Sequence, residues 1–194
     1  MADAAGVRTF PCTAAAVEET RRLLRGRGPP VGVFDIDDTL LVGGGDGTKI
    51  EPTAALAREI VKRGGAVELV TARPEAARRK TVAQLGAAGL LPLVARLHMP
   101  GGRLPNKKKI ADWKAAARAA IEARRGRLDV AVGDKLHDIV RVPVGDIGTA
   151  AVIRASATGG PVGLLVHYSE EEEEEEEDGN RDRGSPSASK RRRR

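Results

Sequence analysis

The sequence predicts a three-layer α/β domain: a mainly parallel β-sheet with helices on both faces. Short apolar runs alternate with amphipathic stretches through residues 13–167, the order expected when strands are joined by crossover helices. A dense group of carboxylates follows directly on the first strongly apolar run, and ligands of open α/β sheets bind just beyond the carboxyl ends of the strands.

Residues 13–25 read as a helix with Thr13 as its cap. VGVFDI at 31–36, introduced by Pro29 and Pro30, reads as a short buried strand. A helix follows over 52–63, where Pro52 suits the first turn and Gly64-Gly65 stops it. AVELVT at 66–71 is the next strand, and a helix runs from Pro74 to about Leu85. LVARL at 93–97 predicts a third strand, followed by a basic loop through GGRLPNKKK. Over 110–125, Ile110, Trp113, Ala117 and Ile121 recur at a spacing that gives one buried helical stripe. LDVAV at 128–132 is a fourth strand, and 150–154 and 162–167 are two weaker ones.

The 194 residues suit one domain. They divide into an N-terminal helical extension (1–28), the α/β domain (29–167) and a charged tail (168–194). The tail holds Glu170 to Glu177, Asp178, a polar stretch and a final KRRRR. With almost nothing apolar to bury, it is expected to be disordered. Its basic end reads as a polyanion or nuclear-import contact, or as the partner of its own acidic run. The net charge is +6, yet residues 168–194 carry ten acidic and seven basic side chains, which leaves +9 on residues 1–167. Such a body attracts anions, phosphate esters and nucleic acid among them. Four aromatic residues, Phe10, Phe34, Trp113 and Tyr168, are too few for a base-stacking platform. Cys12 is the single cysteine and has no internal disulfide partner, which fits a reducing compartment. No apolar run approaches the roughly 18 residues that span a bilayer, and the first residues lack the apolar core of a secretory signal. The expectation is an intracellular protein, cytoplasmic or nuclear, neither secreted nor membrane-bound.

The chemistry gathers in VGVFDIDDTLL. Asp35, Asp37 and Asp38 leave a buried strand together, and their mutual repulsion needs a cation or hydrogen bonds to offset it. Magnesium, a hard ion, takes such oxygen ligands. A carboxylate is also a covalent nucleophile in phosphoryl transfer. Two residues apart in a bending loop, Asp35 and Asp37 can face one phosphate, one attacking and the other moving the proton. Asp38 is expected to point away or cap the loop. The structural alternative is a turn with capping aspartates.

FDIDDTL resembles the DxDxT signature of the haloacid dehalogenase superfamily of aspartate-nucleophile phosphohydrolases. LVTAR at 69–73 resembles its second motif and GDKLHD at 133–138 its fourth, in the right order and each after a predicted strand. The stretch from Trp113 to Asp138 resembles the acid phosphatase branch, which includes plant vegetative-storage and bacterial class B enzymes. There a lysine is followed four residues later by an arginine, as Lys114 is by Arg118.

The resemblance implies a Rossmann-like sheet with little or no cap and a magnesium-dependent phosphomonoesterase that works through an aspartyl-phosphate. Asp35 would be nucleophile and metal ligand. Asp37 would be general acid/base and lend its backbone carbonyl to the metal. Thr71 and Lys114 would bind the transferring phosphate, and Asp134 and Asp138 would complete the metal site. Thr39 would stabilise the first loop, and Thr39, Arg73, Arg118 and His137 are the candidate substrate-binding residues. Lys107, Lys108 and Lys109 are alternatives to Lys114, read by preference as a solvated basic loop. The short interval from Thr39 to Thr71 leaves no room for a lid domain and implies an open site. Small monoesters and exposed phosphates on macromolecules both fit such a site. Two other readings remain: a phosphotransferase, and a non-catalytic binding module whose tail engages a partner.

Overall fold

The computed structural model describes residues 7–10, 13–26, 28–43, 47–139, 150–154 and 162–165. The tail expected to be disordered lies outside these residues. The elements in order are β1 (Val7–Phe10), α1 (Thr13–Leu24), β2 (Val31–Phe34), α2 (Glu51–Lys62), β3 (Ala66–Val70), α3 (Arg78–Ala87), β4 (Val94–His98), α4 (Lys107–Arg125), β5 (Val130–Gly133), β6 (Ala150–Arg154) and β7 (Val162–Leu165). Short 3₁₀ turns cover Glu75–Ala77, Leu91–Leu93 and Leu136–Asp138.

Seven strands form one sheet in the order β1-β6-β7-β5-β2-β3-β4. β7, β5, β2, β3 and β4 are parallel to one another, and β6 runs antiparallel between β7 and β1. The alternation of side chains along the strands makes two cores. Phe34, Val67, Leu69, Val130 and Val132 pack with Val17 and Leu24 of α1, Leu56 and Ile60 of α2 and Leu85 of α3. On the opposite face Val31, Val33 and Val70 pack with Ala117 and Ile121 of α4, against which Trp113 also lies. Each large apolar side chain buried in this way contributes about 1.5–3 kcal/mol. The result is the expected three-layer α/β architecture with a mainly parallel, Rossmann-like sheet.

Some details differ from expectation. The N-terminal segment, read as helical, also contributes β1, which pairs antiparallel with β6. The helix expected from Pro74 begins as a 3₁₀ turn and becomes α-helical at Arg78. α4 starts at Lys107 rather than Ile110 because Asn106 caps it, its Oδ1 accepting the Lys109 N–H at 2.9 Å. Lys107, Lys108 and Lys109 are therefore the first helical turn and not a loop. A cap satisfies an otherwise orphaned N–H, for about 1 kcal/mol, and holds the turn against the unfavourable placement of cations at a helix N-terminus.

The far end of α4 is pinned by a charge inside the sheet. Glu68 of β3 is fully buried on the α4 face. Arg124 Nη2 donates to it at 2.5 Å and Arg125 Nε at 2.8 Å, and His98 Nε2 lies 2.7 Å away. Burial pushes the Glu68 carboxyl up, but the hydrogen bonds from His98, Arg124 and Arg125 together win and bring it down to about 2. Among the described residues no helix is long and apolar enough to cross a membrane.

Candidate active site

The parallel strands β2, β3 and β5 deliver their following loops to one edge of the sheet. Asp35 leaves β2 with its N–H still donating to the Val132 carbonyl at 2.9 Å, so its position is fixed by the ladder to β5. The chain then folds back. Leu40 and Leu41 donate to Ile36 O at 3.0 and 2.9 Å. Asp38 adopts φ 52° and its Oδ1 accepts the Gly43 N–H at 2.7 Å, so it serves the turn, as expected. Thr39 is fully buried beneath this loop, and its carbonyl accepts the Thr53 hydroxyl.

Asp134 and Asp138 follow β5. One carboxylate oxygen from each of Asp35, Asp134 and Asp138 lies within 4.8 Å of the other two. Gly133 makes that approach feasible, since a Cβ at this position would collide with the Cβ and carboxylate of Asp138. Asp138 Oδ2 accepts the Lys135 N–H at 3.0 Å. Arg118 braces the same turn from α4, donating to the carbonyls of His137 and Asp138 at 2.9 and 2.7 Å.

Lys114, 3% exposed, reaches the cluster from α4. Its Nζ lies 2.8 Å from Asp35 Oδ1 and also pairs with Asp138 Oδ1. Burial pushes the Asp35 carboxyl up, Lys114 pulls it back, and Asp138 adds to the upward push. The Lys114 ammonium is opposed by burial and favoured by its two carboxylate partners, which prevail. Asp134 is likewise raised, chiefly by burial.

Asp37 is separate from the triad and half-buried. Arg73 grips it with two hydrogen bonds, Nε to Oδ2 at 3.0 Å and Nη2 to Oδ1 at 2.5 Å. The remaining Arg73 nitrogen donates to Thr81 and Gln84 of α3 at 3.2 and 2.8 Å. Thr71, at the end of β3, is buried; its Oγ1 accepts the Arg73 N–H at 3.2 Å and its carbonyl accepts Trp113 Nε1 at 3.2 Å.

The site residues named from sequence are thus distributed in three groups. Asp35, Lys114, Asp134 and Asp138 form one buried cluster. Thr71, Arg73 and Asp37 form a chain of contacts beside it. Thr39 and Arg118 lie behind it, held by loop contacts. His137 Nε2 is 3.7 Å from Asp138 Oδ1, and burial lowers the imidazole below its ordinary value. Lys107, Lys108 and Lys109 are exposed, two helical turns before Lys114. Sequence reasoning missed the roles of Gly133, Trp113, Thr81 and Gln84. Only Gly133 carried a signal, the small residue directly preceding a clustered carboxylate.

The donor set fits a hard divalent cation. It consists of carboxylate oxygens alone, one from each of Asp35, Asp134 and Asp138 within 4.8 Å of one another, and the single ammonium of Lys114 beside them leaves negative charge in excess. A buried triad of acids with one ammonium between them suits phosphoryl transfer through an aspartate. No curated protein matches the chain. Residues 42–154, more than half of the chain, match the HAD superfamily, subfamily IIIB (acid phosphatase). The match takes in Thr71, Lys114, Asp134 and Asp138, and Asp35 and Asp37 lie just ahead of it. With its α/β fold, its aspartate cluster and this match, the chain belongs to the haloacid dehalogenase superfamily, subfamily IIIB, and is a phosphatase domain of the acid phosphatase type.

Proposed function

We propose that this domain hydrolyses phosphate monoesters through a covalent phosphate on Asp35. One observation carries the reading: the Lys114 ammonium sits between Asp35 and Asp138 inside a cluster that Asp134 completes. In the first step an Asp35 carboxylate oxygen bonds to phosphorus, the ester P–O bond breaks, and Asp37 gives a proton to the leaving oxygen. In the second, Asp37 takes a proton from water, the water oxygen bonds to phosphorus, and the Asp35–P bond breaks. Lys114 and the Thr71 hydroxyl hold the phosphoryl oxygens. The two hydrogen bonds from Arg73 hold the Asp37 carboxylate, and in this reading Arg73 acts through Asp37. Asp35, Asp134, Asp138 and the Asp37 backbone carbonyl would hold magnesium, which when bound supplies positive charge for the transferring group. The short connection between β2 and α2 favours an open site and phosphates exposed on larger molecules as well as small monoesters.

The test contrasts two isosteric variants. Asp35→Asn should fold and lose turnover of an aryl phosphate to background. Asp37→Asn should still be phosphorylated by a substrate with a good leaving group, then stall and accumulate a hydroxylamine-labile acyl-phosphate. Wild-type turnover in Asp35→Asn would refute the mechanism. A wild-type protein that turns over no monoester and traps no phosphoryl group would favour the binding-module reading.

A further inference from the structure

Thr71 and Lys114, which hold the phosphoryl oxygens in the proposed mechanism, belong to different elements. Thr71 directly follows β3, and Lys114 lies within α4. Neither residue by itself fixes the gap between a strand exit and a helix. The Thr71 peptide, however, is gripped from both sides. Its N–H donates to the His98 carbonyl, at the end of β4, at 3.2 Å. Its carbonyl accepts Trp113 Nε1–H, from α4, at 3.2 Å. His98 is held in turn, its Nε2 2.7 Å from the buried Glu68. The same turn is tied to the chain after β4 by the Glu75 N–H, which donates to the Pro100 carbonyl at 2.8 Å.

Trp113 immediately precedes Lys114. Its half-buried ring packs against the cluster of Val31, Val33, Val70 and Ile121. Packing alone would need only an aromatic body, and a buried indole N–H commonly finds some partner. Here that partner is the carbonyl of a phosphoryl-binding residue, and the donor sits next in sequence to the other one. The contacts continue from there. Thr71 Oγ1 accepts the Arg73 N–H at 3.2 Å, which leaves the hydroxyl proton to be donated elsewhere. Arg73 then holds Asp37 with Nε and Nη2. One indole N–H thus registers the whole β3 exit against the helix that carries Lys114.

We propose that Trp113 is a positioning residue of the phosphoryl site: its N–H, acting through the Thr71 carbonyl, sets the Thr71 hydroxyl at its working distance from the Lys114 ammonium. The proposal rests on the roles given to Thr71 and Lys114 in the mechanism. Precision of this kind matters, because a misplacement of about 1 Å costs an active site up to about a hundredfold.

The experiment titrates inorganic phosphate into the full-length protein at constant magnesium and reads affinity by calorimetry. Trp113→Phe keeps an aromatic ring in the core and removes the donor. Phosphate affinity should fall about threefold to tenfold, the worth of one neutral hydrogen bond. A tryptophan that only packs would lower the melting midpoint and leave that affinity where it was. Thr71→Val should cost about tenfold or more, because its hydroxyl meets a charged group. In the Thr71→Val background, Trp113→Phe should cost less than about twofold further, since the hydroxyl it acts through is gone. An unchanged affinity in Trp113→Phe, or full additivity of the two losses, would overturn the proposal and leave the phosphoryl site standing. A wild-type protein that binds no phosphate, or a Thr71→Val protein that binds it as well as wild type, would refute the role of Thr71 and this proposal with it. If Trp113→Phe does not fold, the wild type still decides. Trp113 is the sole tryptophan, so its emission should change with phosphate at the half-point that calorimetry gives, and should lose most of that change in Thr71→Val. Wild-type emission indifferent to saturating phosphate would overturn the proposal.

Discussion

Lys114→Met isolates what the buried ammonium does. The side chain is 3% exposed and is paired with two carboxylates, at 2.8 Å in the case of Asp35. Methionine keeps the length and apolar stem but leaves Asp35 and Asp138 facing each other without a counter-ion. Breaking a buried ion pair by removing one partner costs about 3–5 kcal/mol. For a chain of this size about 1 kcal/mol moves the thermal midpoint by about 2–4 °C, so the metal-free variant should melt roughly 6–20 °C lower at neutral pH. The sign with pH follows from Asp35. Its carboxyl is raised in the folded state, and loss of Lys114 removes the main opposing influence. A raised carboxyl binds its proton more tightly folded than unfolded, so in both proteins Asp35 weighs against folding as pH rises from about 4. The wild-type group gives up its proton at about 8, so the variant's extra deficit from this group should open at the alkaline end of the range and be absent toward about pH 5. Millimolar magnesium should recover part of the loss, because it replaces the missing positive charge and binds only the folded state. The assay is thermal unfolding in chelator, with and without added magnesium, between pH 5 and 8. A midpoint within about 2 °C of wild type at pH 7.5 in chelator would refute the reasoning that Lys114 compensates this cluster.

Chelation should abolish aryl phosphatase turnover in the wild type, and magnesium should restore it; full activity in chelator-treated protein would exclude Asp35, Asp134 and Asp138 as a required metal site. Gly133→Ala places a methyl group against Asp138, and should cost about 1–3 kcal/mol by overpacking together with at least tenfold in magnesium affinity, measured by titrating activity; an unchanged affinity would show that Asp138 moves freely. Glu68 is lowered from 4.5 to about 2, so it contributes at most about 3 kcal/mol, present above pH 4.5 and lost as pH falls from there toward 2. Glu68→Gln should flatten the acid limb of the stability curve in that window, and an unaltered limb in denaturant titrations would place the acid sensitivity elsewhere.

Strand positions and the acidic loop were legible because each rests on a local pattern. β2, β3 and β5 are short apolar runs, and the carboxylates at their ends break that pattern abruptly. The aspartate spacing could be read from a linear string because a strand exit constrains it. Other features depend on contacts far apart in sequence. Arg73 meets Asp37 across 36 residues, and Trp113 reaches the Thr71 carbonyl across 42; nothing local to either partner announces the other. The start of α4 was misjudged because three lysines look like a solvated loop, whereas the deciding atom is the side-chain oxygen of Asn106. β1 was missed for a related reason. A four-residue edge strand acquires meaning only when β6, some 140 residues away, is there to pair with it.

α4 works as a measuring rod with marks at both ends. One end is registered on the sheet by Arg124 and Arg125 at Glu68, and Lys114 and Arg118 read out that register at the opposite edge. Side chains along a helix are indexed at about 100° per residue. A single residue inserted between Ile121 and Arg124 would leave every functional side chain in the sequence yet swing Lys114 by more than a quarter-turn away from Asp35. The helix can therefore accept many exchanges of side chain on its outer face, but its length between these marks is as constrained as the identity of the aspartates it serves.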